Sequence, residues 1–257
     1  MRIGLIGFGS IGSELFTRLN NTAGYEFCAL TRSPISDAPT TLHQVRTHQD
    51  LLAFAPDLIV ECAGHAAVRA YGVPSLAAGI PLLVASLGAL ADPALEAALS
   101  TAAETNGARL IYPSGAIGGL DLLRAVAGNG PTRVTYQGVK PPAAWKGSPA
   151  EDMVALDDLT DSTTFFTGNG REAALTFPKN ANVVAALALA GPGFDALNVT
   201  LTADPLAEAN MHSYSVCSDA CSYEMSIKGA ASSGNARTSL TTVLSIAAEI
   251  RAFALTV

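Results

Sequence analysis

Six residues near the start of the chain, Gly7-Phe8-Gly9-Ser10-Ile11-Gly12, have the spacing G-x-G-x-x-G. They follow the apolar run Ile3–Ile6 and lead into helical periodicity from Ile11 to about Leu19. In that setting the first glycine makes a tight turn, the second lets a pyrophosphate approach the backbone, and the third lets helix and strand pack closely. The N–H groups of Ser10, Ile11 and Gly12 at the helix start then offer donors to phosphate, backed by the helix dipole. Such a loop points to dinucleotide binding. The ribose end is normally read by an Asp or Glu closing the second strand. Here that place holds Ala29-Leu30-Thr31-Arg32-Ser33. The carboxylate that would repel a 2′-phosphate is missing and Arg32 supplies a cation, so NADP is expected, with NAD also accepted. The plainer reading of Arg32 is a solvated surface side chain.

Other reactive side chains are sparse. Of the four histidines, His43 and His48 fall in a polar linker and are expected at the surface. His65 follows the carboxyl end of a strand, where ligands bind in doubly wound sheets. His212 begins a strand running to Cys217 and shares a face with Tyr214 and Val216. Taken alone it reads as a hydrogen-bonded histidine at the edge of a core. Of the four cysteines, Cys217 and Cys221 stand four apart with no His at zinc-ligand spacing, so no metal site is expected and the thiols should be reduced. A net charge of −7 argues against a nucleic-acid or acidic-membrane partner. No apolar run reaches ~18 residues, so no membrane span is expected. Met1–Ile6 enters a strand directly, without a signal-peptide pattern, which makes the expected location cytoplasmic.

These residues need a scaffold, and the pattern of the chain supplies one. Hydrophobic residues make up 49% of the chain, which is ample core material. Short apolar strands are expected at Ile3–Ile6, Tyr25–Leu30, 57–62, 81–84 and 109–112. Helices alternate with them, at Ala66–Ala78 and from Pro93, capped by Asp92, to about Asn106. That alternation predicts an α/β, Rossmann-type, doubly wound parallel sheet over residues 1–113. After Pro113 the pattern changes. Helices are expected at Ile117–Ala127 and Asn182–Ala190, and strands at 133–139, 163–167, 197–202, 213–217 and 222–227. A smaller α/β domain with a mostly antiparallel sheet follows for residues 114–237. Residues 238–257 should form a helix packing back on the body. The loop 140–161, long and polar, has the character of a lid.

Several stretches resemble the L-aspartate dehydrogenase family. They are Glu61-Cys62-Ala63-Gly64-His65, Val84–Leu90, Tyr112–Asp121, Lys140-Pro141-Pro142-Ala143-Ala144-Trp145, Phe177–Val183, Asn210-Met211-His212 and Asn235–Ser239. They run over most of the chain in the family's order. The resemblance implies a nucleotide-binding lobe, a catalytic lobe and a homodimer. It also implies oxidation of L-aspartate to iminoaspartate, which yields oxaloacetate and ammonia or supplies NAD biosynthesis. Carried over by motif, Ala116 and Asn182 touch the nicotinamide nucleotide, Ala63 and Gly64 belong to the cofactor site, and His212 is the catalytic residue. A histidine suits proton movement at an amine and water addition to an imine when it titrates near neutrality. A substrate with two carboxylates needs cationic clamps, for which Lys140, Lys179 and Arg237 are the best candidates. Val139 before Lys140, and Asn-Ala-Arg-Thr-Ser at 235–239, depart from the family's usual residues and bear on substrate preference. Two other readings share the glycine loop: an imine reductase of the dihydrodipicolinate-reductase type, and a non-catalytic dinucleotide sensor. The first should carry a basic, His-rich stretch that is missing here. The second has no use for His212 among clustered cations.

Overall fold

The computed structural model describes residues 1–178, 181–229, 231–232 and 235–256, with the backbone alone for 231–232 and 235–238. The chain divides into two compact units, one of residues 1–113 with 243–257 and one of residues 114–242.

In the first unit β1 (Arg2–Ile6) runs through the glycine loop into α1 (Ser10–Leu19). Next come β2 (Glu26–Leu30), β3 (Leu42–Val45), α2 (His48–Ala53), β4 (Leu58–Glu61), α3 (His65–Ala77), β5 (Leu82–Val84), α4 (Pro93–Thr105) and β6 (Leu110–Ile111). The six strands form one sheet in the order β3-β2-β1-β4-β5-β6, with every pair parallel. Ile3, Leu5, Phe27, Leu58, Ile59, Val60 and Leu83 are all buried, as strands covered on both faces require. Asp92 accepts from the N–H groups of Ala94 and Leu95 at the start of α4, with Pro93 in the first position, as expected from the sequence. The supposed polar linker instead contains β3 and α2. The edge strand β3 buries only Leu42, and Thr47 caps α2 through Asp50 N.

The second unit starts with α5 (Leu120–Ala127) and β7 (Thr132–Lys140). It continues with β8 (Thr163–Asn169), α6 (Gly170–Thr176), α7 (Asn182–Ala190), β9 (Asn198–Ala203), β10 (Met211–Ser218) and β11 (Ser222–Lys228). Five of its strands form a sheet in the order β11-β10-β7-β9-β8, antiparallel except for the β7/β9 pair. The segment 140–161 is tied down. Trp145 is fully buried and its Nε1 donates to Thr202 O at 3.1 Å. Ala150 and Leu156 are buried as well, and Lys146 pairs with Asp157. An apolar anchor in a polar loop is what the lid reading overlooked. A two-stranded ribbon, β12 (Ala231–Ser232) with β13 (Asn235–Ser239), precedes α8 (Leu240–Ala254).

From Val243 onward α8 belongs to the first unit. Val243, Ile246, Ala247, Ile250 and Phe253 pack into the core formed by Ile3, Leu5, Phe16, Leu19 and Phe27. Their i, i+3, i+4, i+7 spacing is the apolar stripe of a core-facing helix.

Candidate active site

The first unit holds a cradle for a dinucleotide. Gly7 leaves β1 at φ +98° and its N–H donates to Leu30 O. A Cβ on Gly7 would lie 2.7 Å from Ala63 Cβ, and one on Gly12 would lie 2.5 Å from Gly7 O. A Cβ on Gly9 would meet nothing within 4 Å. Two glycines thus close the turn tightly, and the one between them leaves open backbone. No side chain caps the N-terminus of α1 and no acidic residue lies in its first turn. Ser10, Ile11 and Gly12 therefore start a helix whose dipole is not countered locally, which fits a pyrophosphate. Sheet order reverses between β1 and β4, so Gly7 and Ala63 sit together at the carboxyl-end switch point where nucleotides bind.

Glu61 shapes this edge. It is 1% exposed at the end of β4. Its Oε1 accepts from Ala63 N at 2.8 Å, Gly64 N at 2.7 Å and Ser86 Oγ at 3.0 Å, while Oε2 accepts from Ser86 N at 3.0 Å. Burial raises its pKa and these four bonds oppose the rise. The carboxyl group fixes Ala63 and Gly64, the latter at φ +117°, ahead of α3. A lone acid ending an apolar strand was the signal for it in the sequence. His65, the first residue of α3, is half-buried, and burial together with Arg69 lowers its pKa.

At the ribose end Arg32 is exposed just beyond β2. The structure adds a second cation that sequence reasoning missed. Parallel pairing of Leu30 with Val45 brings Arg46 beside Thr31, where its Nη1 donates to Thr31 O at 3.0 Å. Only strand register could have revealed this neighbour.

The second unit gathers a different chemistry. On β7 and β10, Gly138 pairs with His212 and Val139 with Met211, so Lys140 and His212 lie near one another at adjoining strand ends. Lys140 is 8% exposed, and its Nζ stands 4.8 Å from the centroid of the Trp145 ring, a cation–π distance. Burial lowers it to about 8. His212 is 7% exposed, and its Nδ1 lies 2.7 Å from the Tyr136 hydroxyl. Burial first, and then the Lys140 charge, lower it to about 4. This corrects the expectation of a histidine titrating near neutrality: a desolvated imidazole beside a cation stays neutral there.

The remaining expected site residues are scattered in kind. Ala116 is half-buried in the turn before α5, and Asn182 is the exposed first residue of α7. Lys179 lies outside the described residues, and of Arg237 only the backbone, in β13, is described. His48 departs from its expected place at the surface. It is half-buried, 2.8 Å from Ser75 Oγ and stacked on Tyr71, because the unforeseen α2 carries it inward. No group of three metal-ligating side chains occurs among the described residues. No described helix is long and apolar enough to cross a membrane.

Comparison with known proteins adds relatives to this geometry. Residues 121–253 match the family described as aspartate dehydrogenase, C-terminal, and residues 7–113 match the NAD-binding domain of homoserine dehydrogenase. An L-aspartate dehydrogenase of Ruegeria pomeroyi is 44% identical over 254 residues, covering 98% of this chain and 92% of the relative. The crystal structure of aspartate dehydrogenase from Thermotoga maritima superposes with a TM-score of 0.78 at 28% identity, covering 98% of this chain and 96% of that one. A dihydrodipicolinate reductase from Paenisporosarcina shares only the fold, at 14% identity and a TM-score of 0.53, covering 98% of this chain and 94% of that one.

Proposed function

The chain belongs to the aspartate dehydrogenase family, and on that premise we propose that it oxidises L-aspartate through Lys140 and His212, with NADP as the preferred dinucleotide. It is an NAD(P)-dependent oxidoreductase. The observation that carries the site assignment is the buried pairing of one cation and one neutral imidazole at the adjoining ends of β7 and β10.

The nicotinamide, when bound, supplies the acceptor for the hydride leaving the substrate Cα, and Ala116 and Asn182 are the residues assigned to it. Gly7, Gly9, Ser10, Ile11 and Gly12 bind the pyrophosphate, with Ala63 and Gly64 completing that edge. Arg32 and Arg46 favour a 2′-phosphate, since neither faces an acid at residues 31–33. Lys140, a cation below about pH 8, holds a substrate carboxylate in a site that excludes water and strengthens the attraction. Lys179 and Arg237, the other cations that a dicarboxylate substrate calls for, are assigned to the second carboxylate. His212 contacts the reacting centre as a neutral ring, and which nitrogen carries its proton decides whether it gives or takes a hydrogen bond. The resemblance also supports a homodimer, and a monomer mass on sedimentation would remove that part of the proposal.

One assay tests the reading. Aspartate should drive reduction of NADP and NAD well above a panel of other amino acids. His212→Ala should cut kcat by roughly 10²–10⁴, the range of acid–base and orienting contributions. Equal rates with every amino acid, or normal turnover of the variant, would overturn the assignment.

A further inference from the structure

Tyr136 is 1% exposed, and its hydroxyl meets His212 Nδ1 at 2.7 Å. Among the described residues it has no other hydrogen-bond partner. Burial raises its pKa, so the phenol keeps its proton. A buried O–H must give that proton to an acceptor or bear a large penalty. The acceptor at hand is Nδ1. The neutral ring then carries its own proton on Nε2, which has no hydrogen-bond partner among the described residues.

The path for this contact is built into the sheet. Tyr136 pairs with Tyr214 and Gly138 with His212, so phenol and imidazole are diagonal neighbours. The phenol reaches its partner across position 138. A Cβ on Gly138 would lie 2.7 Å from the Tyr136 oxygen and 3.3 Å from Leu201 Cδ2. Only a glycine there leaves the crossing open. The two rings lie within 18° of parallel, with centroids 6.1 Å apart.

We propose that Tyr136, reaching across Gly138, is a positioning residue that holds His212 with its proton on Nε2, so that the histidine meets the substrate as a hydrogen-bond donor. The proposal rests on His212 being the catalytic residue. It deepens that reading by fixing the direction of the bond. Lys140 and Nε2–H then present two donors and no base. Such a set suits carboxylate oxygens, and the oxygen that water brings to the imine carbon. The substrate ammonium loses its proton to solvent before the hydride leaves, since Nε2 is already occupied.

Long-range ¹H–¹⁵N correlation of the labelled enzyme at neutral pH tests this, with the His212 signals identified by their loss in His212→Gln. The expected spectrum shows a protonated Nε2 and a bare Nδ1. In Tyr136→Phe the ring should become a mixture of tautomers. There kcat should fall roughly tenfold with KM changed less than about twofold, the effect of one hydrogen bond. Gly138→Ala should reproduce that pattern by blocking the crossing. A proton on Nδ1 in the unaltered enzyme would overturn the proposal even if neither variant folds, and so would an unchanged His212 spectrum in Tyr136→Phe. Normal turnover of His212→Gln would remove the contact with substrate, whereas the spectrum decides the tautomer independently of activity.

Discussion

Burial lowers Lys140 to about 8 and, with the Lys140 charge added, lowers His212 to about 4. Between those values one is a cation and the other neutral. As pH rises through about 8, Lys140 loses its charge, so the aspartate KM should climb while dinucleotide affinity stays level. Lys140→Met should raise KM at neutral pH by roughly 10–100-fold, the worth of a charged hydrogen bond, and flatten that climb. A variant with normal KM would place the clamp elsewhere. The ribose end makes a separate prediction. Arg32→Glu and Arg46→Glu should each weaken NADP more than NAD, measured as the ratio of the two Kd values. An unchanged ratio in both would leave these arginines as solvated side chains. At this scale the sequence was readable by type but not by state. Lys140 and His212 stand out as residues, yet their protonation comes from burial, and the Tyr136 contact comes from a diagonal that exists only once β7 and β10 are in register.

The turn from β1 into α1 separates two roles that the motif merges. Gly9 has room for a Cβ and an ordinary negative φ, whereas a Cβ on Gly12 would press on Gly7 O. Gly9→Ala should therefore keep its melting temperature but weaken dinucleotide binding. Gly12→Ala should lose about 1–3 kcal/mol of stability, as overpacked sites do. Calorimetry and a dinucleotide titration on both variants check the split, and equal stability losses would contradict it. Elements with strong local signals were legible. The buried apolar runs gave β1, β4 and β5, and Asp92-Pro93 gave the start of α4. Weak ones were missed for physical reasons. The edge strand β3 needs only one buried residue, so it shows no alternation. The seven-residue α6 is too short for periodicity, although the Asn169–Glu172 capping box announces it.

The first unit is assembled from two separated stretches of chain, and α8 closes its core. The periodicity of that helix was visible, but not which unit it would join, because an apolar stripe does not name its partner. Ile250 is fully buried in that core, so Ile250→Ala should cost about 2–5 kcal/mol. Turnover of the folded variant should stay near normal, since Ile250 lies outside the assigned site. A melting temperature equal to that of the parent would mean that α8 contributes little. The same arrangement sets an order of events during synthesis. Residues 114–242 leave the ribosome as one uninterrupted stretch and can fold as soon as they emerge. Residues 1–113 emerge earlier, yet Phe16, Leu19 and Phe27 must wait for Val243–Phe253 to cover them. At ~5–20 residues per second that wait is on the order of ten seconds. During it the apolar side chains that α8 finally covers have no partner from that helix, so the earlier-made half completes its core only at the close of synthesis of Val243–Phe253.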